Sequence, residues 1–117
     1  QTDYSRGAAR GAAEKLIKAA DPATAVFVAS DAMALEVMAV FRESGKRIPD
    51  DLSIVGFDDN PSGLYGPVGL TTVRQPLIRM AEESVKELNR LIVLNKNAPK
   101  KILLPAELVI RESCKPR

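Results

Sequence analysis

Few residues in this sequence have the types to do chemistry. The chain holds no histidine and one cysteine, Cys114. Histidine-based triads, histidine metal sites and an internal disulfide are therefore excluded within these 117 residues. Lys115 sits beside Cys114 and favours its thiolate, but a lone cysteine near a polar tail reads as incidental. Asp58 and Asp59 are adjacent carboxylates. Adjacent strand residues point to opposite faces, so the two do not make a general acid–base pair. With no nucleophile–base pair, metal cluster or glycine-rich phosphate loop, the sequence predicts no catalytic residue, no metal site and no cofactor, and the chain is not expected to be an enzyme.

What remains is hydrogen-bonding chemistry suited to a small polar ligand. Asp58 ends the apolar run LSIVGF (52–57). At the end of a buried strand its carboxylate could accept paired hydroxyl hydrogen bonds, which charge makes roughly twice as strong as neutral ones; alternatively it caps a turn. Ser30 ends TAVFVA (24–29), and its hydroxyl could bond a ligand or cap the helix that follows. Asp31 is expected to cap that helix. Tyr4 offers an apolar ring and a polar tip, or is an exposed residue at a frayed end. Gln75 could cap the helix beginning at Pro76.

These groups need elements to position them, and the apolar pattern predicts which. Residues 5–20 read as a helix capped by Asp3 or Ser5, with Ala9, Ala12, Ala13, Leu16 and Ala20 on one stripe and small residues suited to close packing on a sheet. Asp21-Pro22 stops it. The run 24–29 has strand length and is apolar on both faces, as in a covered parallel sheet. A second helix follows at 32–44, with Gly45 just past its end. From Ala32 to Phe41 its only charge is Glu36, so it is covered on more than one side, and Leu35, Met38 and Val40 lie on it. A strand at 52–57, a loop from 60 to 69 and a short strand at 70–73 come next. Pro76 suits the first position of a third helix, 76–94, whose stripe runs through Leu77, Met80, Ala81, Ser84, Val85, Leu88, Leu91 and Ile92. Exposed pairs Glu82–Lys86 and Glu87–Arg90 support it. Segments 101–104 and 107–111 read as strands broken by Pro105. The alternation means an α/β fold with a mostly parallel sheet and flanking helices, where ligands sit beyond the carboxyl ends of strands.

Composition agrees with a soluble domain: 45% hydrophobic and 27% charged residues exclude a disordered or membrane-embedded chain, and the apolar stretches are too short to span a bilayer. The formal charge of +2 leaves no concentrated basic face for nucleic acid. No secretory signal opens the chain, and the single cysteine suits a reducing, cytoplasmic setting.

The run VFVASDAMALEVMAVFRESGKRIPDDLSIVGFDDN, followed by LTTVRQP and later LLPAELVIRES, resembles the effector-binding core of lactose-repressor/galactose-repressor transcriptional regulators. The likeness rests on three motifs in order: S-D-x-x-A-x-x-x-M after a strand, then I-P-D-D-L-S-I-V-G-F-D, then L-T-T-V-x-Q-P. It implies a partial periplasmic-binding-protein-like (type I) fold with two α/β lobes around a cleft. Residues 1–73 would belong to the C-terminal lobe, 74–104 to the N-terminal lobe, and 105–117 would return to the C-terminal lobe. The N-terminal helix-turn-helix domain of the family is not in this chain. Either these residues are a piece of a longer regulator or their partner elements come from another molecule, and self-association is expected.

The resemblance places a ligand-contacting aspartate at Asp58 and a pocket aromatic at Tyr4. It matches Ser30 to a position often held by Asn, and sets Gln75 at the crossover between lobes. It also implies a homodimer formed partly through helix 32–44, with Leu35 and Met38 at the interface. The implied function is the effector-binding and dimerisation part of a cytoplasmic bacterial repressor that senses a sugar or nucleoside-like metabolite and meets operator DNA through the domain absent here. The alternative is a periplasmic sugar-binding component of a transporter, which shares the lobed fold.

Overall fold

The computed structural model describes residues 5–64, 66, 68–94 and 100–116. Its elements are α1 (Arg6–Lys18), β1 (Ala25–Phe27), α2 (Asp31–Glu43), β2 (Ser53–Phe57), a 3-10 turn at Pro61–Leu64, β3 (Thr71–Arg74), α3 (Leu77–Leu94) and β4 (Glu107–Val109). The chain divides into two units, one of Gln1–Arg74 with Leu108–Arg117 and one of Gln75–Glu107. One sheet runs β1-β2-β3-β4, with β1 parallel to β2 and β2 parallel to β3. This is the α/β class with a mostly parallel sheet that the alternation of elements predicts.

Local chemistry sets the helix ends in the first unit. Ser5 caps α1, its side chain accepting the Ala8 N–H at 3.1 Å. The helix ends at Lys18 rather than running to residue 20, because the Ala19 N–H turns back to the Leu16 carbonyl. At the end of α2, Gly45 takes φ 75 and donates to the Arg42 carbonyl, while the Lys46 N–H reaches the Phe41 carbonyl. This double bond pattern closes a helix when the residue after the cap is left-handed, which glycine adopts without steric cost.

α1 does not pack directly on the sheet, as its small residues led one to expect. Ala9 and Ala13 are buried against α2, and α2 is the helix that lies on β2. The core joins these alanines to Met33, Ala34, Val37, Met38, Val40 and Phe41 of α2, with Val28, Leu52, Ile54 and Leu70 from in and around the sheet. Arg10 bridges the helices, reaching Glu36 at 3.0 Å and Glu43 at 2.5 Å. Half-exposed pairs of this kind contribute little, so the alanine contact carries the packing. β1 is shorter than the apolar run 24–29 and is an edge strand. Phe27 is 60% exposed there, its ring meeting Phe57 edge-on at 6.4 Å between centroids.

The sheet is closed by side chains rather than by a long ladder. The segment 107–111 is a strand only at Glu107–Val109. Beyond it, Ser113 is fully buried between β2 and β3: its N–H donates to the Gly69 carbonyl, its Oγ donates to the Ile54 carbonyl at 2.6 Å and accepts the Thr71 N–H at 2.8 Å, and its carbonyl accepts the Ile54 N–H. A hydroxyl can donate once and accept twice, so one serine ties the start of β2 to the start of β3.

In the second unit, α3 matches its predicted span to within one residue. Lys86 pairs with Glu83 at 2.8 Å instead of with Glu82. Glu87 and Arg90 pair as expected but are mostly buried rather than exposed, and Glu87 also accepts the Lys100 N–H at 3.0 Å. These contacts hold the Glu87 carboxyl down at about 2. Residues 101–104, expected as a strand, form no regular element; among the described residues of this unit no neighbouring strand satisfies their backbone. Leu77, Val85, Leu88 and Ile92 of the α3 stripe are exposed.

Gly56 of β2 has a specific requirement. A methyl group there would lie 2.3 Å from Asp31 Oδ1 and 2.9 Å from Leu70 Cδ2. Gly56→Ala is expected to lower stability by about 1–3 kcal/mol, the usual range for overpacking, seen as a lower urea midpoint with an unchanged slope. An unchanged midpoint would show that the Asp31 carboxylate can move aside.

Candidate functional site

Because β1, β2 and β3 run parallel, their carboxyl ends share one edge of the sheet. Ser30 follows β1, Asp58 follows β2 and Arg74 ends β3. Open parallel sheets bind ligands beyond this edge.

Ser30 takes the capping role open to it, and Asp31, expected to cap, does not. Ser30 is the N-cap of α2, extended at φ −154 and ψ 154, with its Oγ accepting the Met33 N–H at 3.4 Å. Asp31 is the first helical residue and is wholly buried. Its Oδ1 accepts the Thr72 hydroxyl at 2.6 Å, and its Oδ2 accepts the Asn60 N–H at 2.7 Å. The physical reason is reach: from the first turn the Asp31 side chain points down onto β2 at Gly56, where the missing Cβ leaves room. The carboxylate also stands at the positive end of the α2 dipole. Asp31 is thus an anchor between helix and sheet, not a cap.

The turn after β2 is tied at three successive amides. The Asp58 N–H donates to the Val73 carbonyl at 2.9 Å, the Asp59 N–H to Thr72 Oγ1 at 3.4 Å, and the Asn60 N–H to Asp31. Within it Asp58 takes φ 114 and Asp59 φ 55. The second value lies in the small left-handed region that aspartate tolerates; the first lies outside it. Asp58 is half-buried at this point.

Asp59 is the electrostatic centre of the edge. Its Oδ2 accepts Arg74 Nε at 2.6 Å and its Oδ1 accepts Arg111 Nη2 at 2.5 Å. Arg111 is itself fixed, because Nη1 donates to the Leu70 carbonyl at 2.7 Å and its backbone exchanges bonds with the Thr71 hydroxyl. The side chains of Asp59 and Arg111 are 13% and 16% exposed, so solvent screens this pair far less than the outer pairs. The Arg111 guanidinium first, and the Arg74 guanidinium second, hold the Asp59 carboxyl below its ordinary value.

The structure brings Ser30 and Asp58 to the same edge. Tyr4 lies outside the described residues. Gln75 opens the second unit, half-buried, with its carbonyl accepting the Leu77 N–H at 2.9 Å. On α2, Leu35 is half-buried, but Met38 has no exposed surface. Met38 is part of the core cluster, and its side-chain end lies close to Gly66. Cys114 donates to the Ile54 carbonyl at 3.2 Å. Sequence reasoning missed the Asp59–Arg74–Arg111 cluster: Arg111 and Asp59 stand 52 residues apart, and no local pattern couples them. Among the described residues no group of acidic or sulfur ligands could hold a metal ion, and no helix is long and apolar enough to cross a membrane.

Comparison with known proteins agrees with this architecture. The family model of the periplasmic binding protein-like domain matches residues 1–114. The HTH-type transcriptional regulator MalR of Clostridium butyricum is 40% identical over 112 residues, covering 96% of this chain but 33% of the relative. The solved complex of the transcriptional regulator CelR with cellobiose superposes with a TM-score of 0.87 at 33% identity, covering 97% of this chain and 35% of that one. A LacI family transcriptional regulator from Enterococcus faecium with bound ribose gives 0.82 at 30% identity, covering 96% and 41%. The chain thus spans about a third of the length of the curated relatives it matches.

Asp59 makes stability depend on acid. Its folded-state pKa lies below the ~3.9 of an unfolded aspartate. The contribution is therefore complete above that value and lost as pH falls through the folded-state value. At neutral pH Asp59→Asn is expected to lower stability by about 2 kcal/mol, the scale of a hydrogen bond to a charged group. In urea unfolding the gap between the wild type and this variant should shrink as pH drops from about 5 to about 2. A gap that stays constant across that range would remove the ion pair from the account.

Proposed function

The chain belongs to the periplasmic binding protein-like domain family, and from that premise we propose that it is the C-terminal effector-binding and dimerisation portion of a LacI-type transcriptional repressor. The effector is a small sugar or nucleoside-like metabolite, and Asp58 is its principal contact. The observation that carries this reading is the turn after β2, which has an aspartate at the carboxyl edge of a parallel sheet in a strained, hydrogen-bonded backbone. A carboxylate there accepts paired hydroxyl bonds, the pattern a sugar diol offers. Ser30, Tyr4 and Gln75 are the further contacts we propose. The cellobiose and ribose complexes of similar regulators support a sugar-type ligand. In the natural protein, differential affinity of the effector for two arrangements of the core shifts the repressor between its DNA-bound and released states. Operator DNA is contacted through a helix-turn-helix domain outside these residues.

A transporter's sugar-binding component would use the same fold. The S-D-x-x-A-x-x-x-M and L-T-T-V-x-Q-P segments and the regulator relatives favour the repressor. For dimerisation we keep Leu35 on α2 as the proposed contact.

Calorimetry on the natural protein containing this chain, against cellobiose, glucose, sucrose, ribose and adenosine, tests the ligand class. Asp58→Ala is expected to weaken the ligand that binds by about 10- to 100-fold, as loss of charge-assisted bonds requires, with the unfolding midpoint little changed. Unaltered affinity would remove Asp58 from the site. Light scattering on the 117-residue chain should show a species larger than 12.7 kDa at micromolar concentration, since the α3 stripe is exposed. A monomer throughout would contradict self-association.

A further inference from the structure

Asp58 holds φ 114 and Asp59 φ 55 although neither is glycine. Such backbone persists only where its surroundings over-determine it. The amide bonds at Asp58, Asp59 and Asn60 supply part of that constraint. The Asp59 N–H bond to Thr72 is long at 3.4 Å, so the amides alone hold the middle of the turn weakly. The Asp59 side chain supplies the rest, gripped by Arg74 from the last residue of β3 and by Arg111 from the return segment.

We propose that Asp59 is a positioning residue: through Arg111 and Arg74 its carboxylate holds the strained turn that presents Asp58 to the effector. The proposal deepens the reading of Asp58 as the effector contact and rests on it. Arg111 suits the role because its own guanidinium is fixed from a second side by the Leu70 carbonyl. A planar fork held at both prongs fixes direction as well as distance, which a lysine could not do. Strain at the turn and the charge-assisted bonds at Asp59 are of the same order, so loss of those bonds suffices to let the turn relax. Asp58 then leaves the geometry in which its oxygens meet a ligand, and affinity falls without any change at the contact residue itself.

The test has two arms. Amide hydrogen exchange on the whole chain compares the wild type with Asp59→Asn, Asp59→Glu and Arg111→Lys. Exchange at residues 58–60 should rise about tenfold in Asp59→Asn and Arg111→Lys, with Ile54 and Val55 in β2 unchanged as an internal check on folding. Asp59→Glu, which keeps the charge, should recover part of the protection. Equal exchange in wild type and Asp59→Asn overturns the clamp. The second arm measures affinity in the natural protein for the wild type, Asp58→Ala, Asp59→Asn and the double variant, with the sugar and adenosine panel as probes. Asp59→Asn should weaken binding about tenfold alone and add nothing in the Asp58→Ala background. Additive losses overturn the route through Asp58. If Asp58→Ala leaves affinity intact, or no probe binds, while exchange at 58–60 still accelerates, the clamp stands and the effector assignment of Asp58 is what fails.

Discussion

The carboxylate of Asp31 is buried without a cationic partner among its hydrogen-bond contacts, and the carboxyl edge of the sheet is arranged around it. A buried charge costs several kcal/mol unless hydrogen bonds and local dipoles replace water. Here each oxygen accepts one hydrogen bond, from the Thr72 hydroxyl and from the Asn60 amide, and the residue stands in the first turn of α2. Each of those groups belongs to a different segment. Satisfying one carboxylate therefore docks the start of α2 onto the sheet, ties Thr72 of β3 to it and pins the turn that follows β2. Gly56 is the cost of the arrangement, since any side chain there would occupy the space the carboxylate fills.

The return segment completes what Asp31 begins. Ser113 joins β2 and β3 at the amino edge, and Arg111 reaches from the same segment towards the carboxyl edge. These two residues tie the return segment to the sheet beyond the short β4. The pairs that matter lie in these shielded places. Outer pairs such as Arg10 with Glu43 or Lys86 with Glu83 face solvent and contribute far less.

Under the proposed reading, the hydrogen-bonded turn after β2 has a functional meaning. A binding contact held in a strained turn meets its ligand without losing further conformational freedom, so less of the interaction energy is spent on ordering. On the same reading the edge is sensitive to its supporting groups, among them Arg74 and Arg111 on Asp59. The second unit differs in its packing. Its α3 stripe is exposed, and segment 101–104 lacks regular structure; an amphipathic helix gains most of its stability from packing its apolar face.

Several features were legible in the residue order because they are local. Apolar runs of strand length, the Gly45 stop after α2, Pro76 ahead of α3 and the alternation of elements each follow from backbone sterics and periodic burial within a few residues. The α/β class and the position of Asp58 at a strand end follow from them. Other features depend on distance through space. Whether Ser30 or Asp31 caps α2 turns on Gly56, Thr72 and Asn60, residues 25 to 41 positions further along, whose proximity exists only after the sheet has formed. The burial of Met38, the packing of α1 on α2 rather than on strands, and the grip of Arg111 on Asp59 arise in the same way. Electrostatic and packing energies are set by separation in the folded molecule, and separation along the chain carries no record of it.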